Sequence, residues 1–324
     1  MTHELRIGVD LGGTKTEAVV VRLGGADPEV LARRRIATAR ELGYAHIVEQ
    51  TRGLVADVAR DAGVDVGAAG SIGGIGVGMP GSVTMRRADG SASPVPLVKN
   101  SNTTCLNGMP FRADLTTALG RTDVAFANDA NCFALAEAVW GAARGARVAF
   151  GVIMGTGVGG GVVMRDPRDG ARARAWDGAQ GIAGEWGHVV LDPDAGPPCY
   201  CGRRGCIETY LSGPAIERDY ASRSGKQLRL AAIGELAKEG EHVATALLTE
   251  RVDTFGRALS IVINVLDPDV IVLGGGVSNL QLLYDEGVRA VDRWVFNDQV
   301  ATRIVKNELG DSAGVLGAAL LEPV

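Results

Sequence analysis

The chain has 324 residues, enough for about two domains, and its 46% hydrophobic and 22% charged residues are an ordinary globular mixture. The net charge of −5 disfavours nucleic-acid binding by phosphate neutralisation, and no apolar run approaches the length of a membrane span. Glycine is the outlier: its 46 residues are about twice the usual frequency and follow no three-residue period, so they serve turns and close backbone approaches. Met1-Thr2-His3-Glu4 offers no apolar signal core, which gives the expectation of a cytoplasmic protein without membrane partners.

In chain order, Leu5–Leu11 and residues 16–23 read as strands around the turn Gly12-Gly13-Thr14-Lys15, with a third strand at 30–37. Residues 43–62 carry a helical period, 73–77 form a short buried strand, and 82–107 read as a loop rich in Ser, Pro and Asn. A short helix at 114–119 and a strand at 124–127 lead to a capped helix over 128–141. Val148–Met154 and residues 161–164 are strands around a second glycine turn, residues 155–160. Residues 165–208 are loop-rich, with 166–174 a solvated charged loop. The pattern over 213–265 is mostly helical, 270–273 is a strand running into Gly274-Gly275-Gly276, and 314–321 is a helix. This reads as two α/β lobes around a cleft, 1–125 and 126–310.

Consecutive backbone N–H groups hold a phosphate chain well, and glycine lets it approach. In Asp10-Leu11-Gly12-Gly13-Thr14-Lys15 the turn amides and the Thr14 hydroxyl suit phosphate oxygens, while Asp10 suits Mg²⁺ through a water. A plain hairpin with a solvated lysine is the alternative. Gly155, Gly157 and Gly160 have dinucleotide spacing, but no helix opens on the last glycine, so a Rossmann reading fails. Three such turns in both halves point to a nucleotide in an interdomain cleft.

Asn128-Asp129-Ala130-Asn131 follows a strand and opens a helix. Asp129 is either a helix cap or a carboxylate that accepts a proton from an attacking hydroxyl. Cys199, Cys201 and Cys206, with His188 eleven residues before the first, make a closed tetrahedral set typical of structural Zn²⁺; free surface thiols are the alternative. Cys105 and Cys132 show no partner pattern and read as packing residues. Glu185 and Glu208 flank the cluster, either as solvated charge or as grips for sugar hydroxyls on a loop the metal holds still.

Five ordered motifs carry a resemblance: Asp10–Lys15, Asn128–Asn131, Gly155–Gly161, Gly184-Glu185-Trp186-Gly187-His188, and Cys199-x-Cys201-Gly-x-x-Gly-Cys206-x-Glu208. Together the chain resembles the ROK family of sugar kinases and sugar-responsive repressors. The resemblance implies an actin-like ATPase (ribonuclease H-like) α/β fold of two lobes, a C-terminal helix at about 311–324 packed back on the first lobe, and a homodimer. It implies Asp129 as general base, with Asn102, Asn128, Asp129, Glu185, His188 and Glu208 at the sugar. His188 would serve zinc through one ring nitrogen and the sugar side through the other. It assigns Gly8, Asp10, Gly12, Gly13, Thr14, Lys15, Gly155, Thr156, Gly157, Val158, Gly159, Gly275 and Gly276 to ATP with Mg²⁺. Residues 98–104, 106–111 and 310–314 look most like bacterial fructokinases, so the expected reaction makes fructose 6-phosphate from fructose and ATP. Glucose, mannose or an N-acetylhexosamine is the alternative substrate. A DNA-binding repressor is the distant one, because the first phosphate turn begins at residue 10.

Overall fold

Alternating apolar residues in the first forty positions fold as an antiparallel meander, β1 (Leu5–Leu11), β2 (Lys15–Arg22) and β3 (Glu29–Ala37). The computed structural model describes residues 4–68, 70–169 and 172–322; the parts of the N-terminal, charged-loop and C-terminal readings that fall on 1–3, 170–171 and 323–324 lie outside the described residues. Next come α1 (Tyr44–Asp61), β4 (Ile75–Met79), β5 (Ser82–Arg86), β6 (Ala92–Lys99), α2 (Phe111–Leu119), β7 (Val124–Asn128) and α3 (Asp129–Trp140). The second half holds β8 (Val148–Met154), β9 (Val158–Arg165), β10 (Ala173–Ala175), α4 (Glu208–Leu211), α5 (Gly213–Ser224), α6 (Leu230–Lys238) and α7 (His242–Leu266). It ends with β11 (Val270–Gly274), α8 (Leu282–Asp292), β12 (Arg303–Lys306) and α9 (Ala313–Ala319).

The two halves repeat one topology. In the first sheet, ordered β3-β2-β1-β4-β7, β1 pairs antiparallel with β2 and parallel with β4. In the second, ordered β10-β9-β8-β11-β12, β8 pairs antiparallel with β9 and parallel with β11. The glycine turns at residues 12–14 and 155–157 therefore occupy equivalent hairpins. β4 and β11 are buried at every position, as parallel strands covered on both faces require.

α3 lies at the junction. Nearly all its side chains are buried, and it packs on α9, β8, β9 and β10. Glu137 on this helix is fully buried, and its carboxylate accepts from the N–H groups of Ala142 (2.9 Å), Glu308 (3.2 Å) and Leu309 (2.9 Å). That pins the approach to α9 onto α3. Glu137→Ala is expected to destabilise the protein by about 3–5 kcal/mol, because three donors lose their acceptor and a cavity opens. A denaturant titration with an unchanged midpoint would reject this role.

Four expectations are corrected. Residues 82–107 are not one loop: β5 and β6 form a two-stranded sheet, whose Pro94 and Pro96 are tolerated because it has no interior strand. β9 begins at Val158 rather than 161, so Gly159 and Gly160 pair with Ile153 and Val152. The charged loop is not wholly solvated, since Ala173–Ala175 pairs with β9. β12, at the sheet edge, lies in a segment where the pattern gave no strand.

Candidate active site

The β7–α3 junction puts Asn128 at the N-cap of α3 and Asp129 at its first position. Asn128 is the cap: its Oδ1 accepts from Ala130 N–H at 2.9 Å, and its Nδ2 donates to the Gly81 carbonyl at 2.9 Å. Asp129 also accepts from Ala130 N–H, at 2.8 Å, and its second oxygen has no partner among the described residues. Burial pushes its pKa up to about 6, with the charge of Glu185 adding and the Ala130 N–H opposing. Asp10 is pushed up to about 7 by burial, then by Asp129 and Glu17, against Lys15 and Arg35. Burial also raises Glu185, with His188 and Lys99 opposing and Glu208 adding. Asp10, Asp129 and Glu185 thus crowd one region with too little positive charge. Among the described residues the Asp10 carboxylate has no hydrogen-bond partner, which fits an oxygen ligand, direct or through water, for a hard divalent cation.

The sign of this strain is testable. A carboxyl raised in the fold favours the protonated state, so its stabilisation is lost as pH rises through about 7. Without divalent cation, stability is expected to fall by roughly 1 kcal/mol between pH 6 and 8, and Asp10→Asn should abolish most of that fall. Equal pH slopes for the two proteins in urea titrations would show that Asp10 carries no such strain.

The two equivalent turns hold free donors, though fewer than the motifs suggested. Gly12 N–H closes its own turn on the Lys15 carbonyl at 3.0 Å, and Gly155 N–H does so on the Gly157 carbonyl at 2.9 Å. Val158 N–H donates to Glu208 Oε2 at 2.9 Å. Among the described residues, the amides of Gly13, Thr14, Thr156 and Gly157 make no hydrogen bond and remain for an anion. Gly8 is a correction: it is buried in mid-strand, where a Cβ would overlap the Val315 carbonyl of α9, so it serves packing rather than nucleotide. Gly159 is likewise a paired strand residue, and Ala130 is the nearest atom a Cβ there would meet, at 3.7 Å. The start of α3 therefore sits between Asp10 of the first hairpin and the strand leaving the second. Lys15 pairs with Asp311 at 3.6 Å. Asn102 stands against Gly13, its carbonyl accepting from Arg40 Nη1 at 3.1 Å, which brings a cation that sequence reading missed to this turn.

Next to the second turn a cavity of ≈ 1120 Å³ opens, lined by Thr156, Leu230, Gly234, Leu248, Gly276 and Gln281 among others. It runs from the free amides to the third glycine turn, and its walls mix apolar residues such as Leu230, Leu248 and Leu280 with charged ones such as Glu217, Lys238 and Arg289. Gly276 lines it, whereas Gly275 presses on the Met154 carbonyl at a φ of +80° and is a turn residue.

The cysteine cluster assembles as its spacing predicts. Ligand atoms of His188, Cys199, Cys201 and Cys206 all lie within 4.8 Å of one another. His188 Nδ1 is 3.6 Å from Cys199 Sγ, and Cys201 Sγ is 3.6 Å from Cys206 Sγ. Bonds of about 2.0–2.3 Å in a tetrahedron put ligand atoms roughly 3.3–3.8 Å apart, so these residues fit zinc. The other ring nitrogen, Nε2, lies 2.9 Å from the hydroxyl of Tyr200, a residue the sequence reading passed over. Glu208 follows the cluster directly and reaches the second turn through Val158, coupling the two loops.

Two sheets that repeat one topology, each with its glycine turn in the equivalent hairpin, define the class: this is the actin-like ATPase fold. The ROK family model matches residues 6–323, and the chain belongs to the ROK family. It is 38% identical to an N-acetyl-D-glucosamine kinase of Photobacterium profundum, over 97% of this chain and 98% of that protein. A crystal structure of a ROK hexokinase from Thermus thermophilus superposes with a TM-score of 0.80 at 32% identity, covering 98% and 97% of the two chains. A ROK glucokinase from Streptomyces griseus, solved with glucose and AMPPNP, gives a TM-score of 0.74 at 26% identity, covering 98% and 99%.

Proposed function

We propose that the protein is an ATP-dependent kinase that phosphorylates the 6-hydroxyl of N-acetylglucosamine. The observation that carries the phosphotransfer reading is Asp129: an acid with one oxygen unpartnered among the described residues, its pKa raised to about 6, set between two hairpins with free amides. Asp129 would take the proton as the sugar hydroxyl attacks the γ-phosphorus. The amides of Gly13, Thr14, Thr156 and Gly157 would bond phosphate oxygens, and the nucleoside would occupy the large cavity. Mg²⁺ bound with the nucleotide, with Asp10 as its protein-side ligand, supplies charge neutralisation at the phosphates. Asn128, Glu185, Glu208 and His188 make up the sugar side, with Asn102 at its margin. Zinc on His188 and the three cysteines would hold that loop in shape.

The choice of N-acetylglucosamine over the fructose expected from sequence motifs is supported by 38% identity along almost the whole chain to a kinase of that name. The division into lobes near residue 125 and a homodimeric assembly belong to the same reading. A coupled ADP-release assay should give N-acetylglucosamine a kcat/KM at least about tenfold above fructose, glucose and mannose. Higher turnover of fructose would overturn the sugar, and ADP release unaffected by any hexose would overturn the kinase.

A further inference from the structure

Beside the cleft lies a second cavity, of ≈ 570 Å³, bounded by β5 and β6 on one side and by residues 177–181 on the other. Asn128 forms part of its wall, so it adjoins the position of Asp129. Its polar groups are unusual. Ser82 is 6% exposed, yet its Oγ has no hydrogen-bond partner. Arg112 is mostly buried, and its Nε is likewise unpartnered. Its guanidinium carbon lies 5.7 Å from the centre of the Phe126 ring, and it makes no ion pair among the described residues. Lys99, also without an ion pair there, lines the same cavity, and its charge reaches Glu185. The opposing acid is Asp177, whose Oδ1 accepts from Asn131 Nδ2 at 2.6 Å and which acts on Arg112 from beyond contact. Arg86 at the rim is exposed.

A mostly buried guanidinium that Asp177 reaches only from beyond contact and a buried hydroxyl without a partner are both costly, and a negatively charged oxygen group in the cavity they line offsets that cost. We propose that this cavity receives a carboxylate carried on a short arm of the sugar ring, so that the enzyme's substrates include acidic N-acetylhexosamines. Arg86, Lys99 and Arg112 line the cavity against Asp177 alone, a surplus of positive charge that suits an anion. The planar fork of Arg112 matches a carboxylate in two-point contact, and Ser82 supplies a third donor. The carboxylate is placed on an arm of the sugar because Asn128, next to Asp129, lines the cavity and Lys99, which lines it too, acts on Glu185. This inference rests on the hexosamine kinase reading for its ring, but its own observable is binding.

The test is calorimetric binding to the zinc-loaded full chain of three probes: N-acetylglucosamine, N-acetylmuramic acid (the same ring bearing a lactyl ether) and free lactate. The acidic sugar is expected to bind at least about fivefold tighter than the neutral one, with no binding of lactate. Arg112→Met and Ser82→Ala should each erase most of that preference while leaving N-acetylglucosamine within about twofold, and Arg112→Lys should restore part of it. If Arg112→Met does not fold, Ser82→Ala carries the comparison. Equal, weaker or absent binding of the acidic sugar, or a preference untouched by both variants, would overturn the subsite. Lactate binding as tightly as the acidic sugar would show a free-anion site instead and equally overturn it. ADP release with N-acetylglucosamine is read separately, so loss of turnover with the acid preference intact strikes the kinase reading and not the subsite.

Discussion

Asp129→Asn is expected to lower kcat by at least about 10³-fold while changing the sugar KM less than about threefold. Asparagine has the same shape and keeps an oxygen to accept from the Ala130 N–H, so the start of α3 should not move. What it loses is the ability to take a proton. The wild-type pKa of about 6 sets the pH dependence, since the base must be ionised: kcat/KM should rise with pH up to about 6 and then level off. The variant's residual rate should lack that limb. A second signature separates this role from a structural one. Ionised Asp129 repels Asp10, and Glu185 repels Asp129, so the neutral variant should be as stable as wild type at pH 8 or more so. Retention of kcat within tenfold, or a large loss of stability, would remove Asp129 from the chemistry.

The parts of this protein legible in its sequence are those specified over short distances. β1, β2, α1, β8 and β11 announce themselves through apolar period, and the four residues of the candidate metal cluster through spacing, because each signal lies within one element or loop. β5 and β6 were hidden by Pro94 and Pro96, which read as loop and are acceptable only because the pair stands outside the two large sheets. Gly8 was misread for a related reason. It lies two residues from a phosphate turn, but its real neighbour is Val315, more than three hundred positions away. Sequence proximity cannot distinguish a glycine that admits a ligand from one that admits a helix. Distance along the chain also hid Glu137, whose carboxylate accepts from the N–H groups of Glu308 and Leu309, and Arg112, which lies over the Phe126 ring and feels the charge of Asp177. Substrate choice was the least legible. The motifs near 98–111 suggested fructose, while whole-chain identity favours an N-acetylated sugar. Hydroxyl and acetamido groups differ in a few contacts that no local pattern records.

Removing the metal should produce the second large effect, and the path of that effect follows from the contacts around the cluster. The protein as purified is expected to carry about one zinc per chain, measured by atomic emission. Cys206→Ser should lose it, since a hydroxyl is a poor replacement for a thiolate and Cys206 is fully buried at the centre of the loop. Backbone hydrogen bonds hold part of the loop, among them Leu191 N–H to the Gly205 carbonyl and Ile207 N–H to the Val189 carbonyl, and His188 Nε2 stays at Tyr200, so the metal's share is to fix the ligating side chains. Because Glu208 lies two residues past Cys206 and accepts from Val158 N–H, a loosened loop should also loosen the glycine turn at residues 155–157, proposed above to hold phosphate. KM should therefore rise for ATP as well as for sugar, each by about tenfold, alongside a lower melting temperature. Affinity for zinc should fall as pH drops, because protons compete for the thiolates and the imidazole. A metal-depleted protein with unchanged melting temperature and unchanged KM for both substrates would show that the four residues do not hold this loop. A rise confined to the sugar would show that Glu208 does not transmit the change.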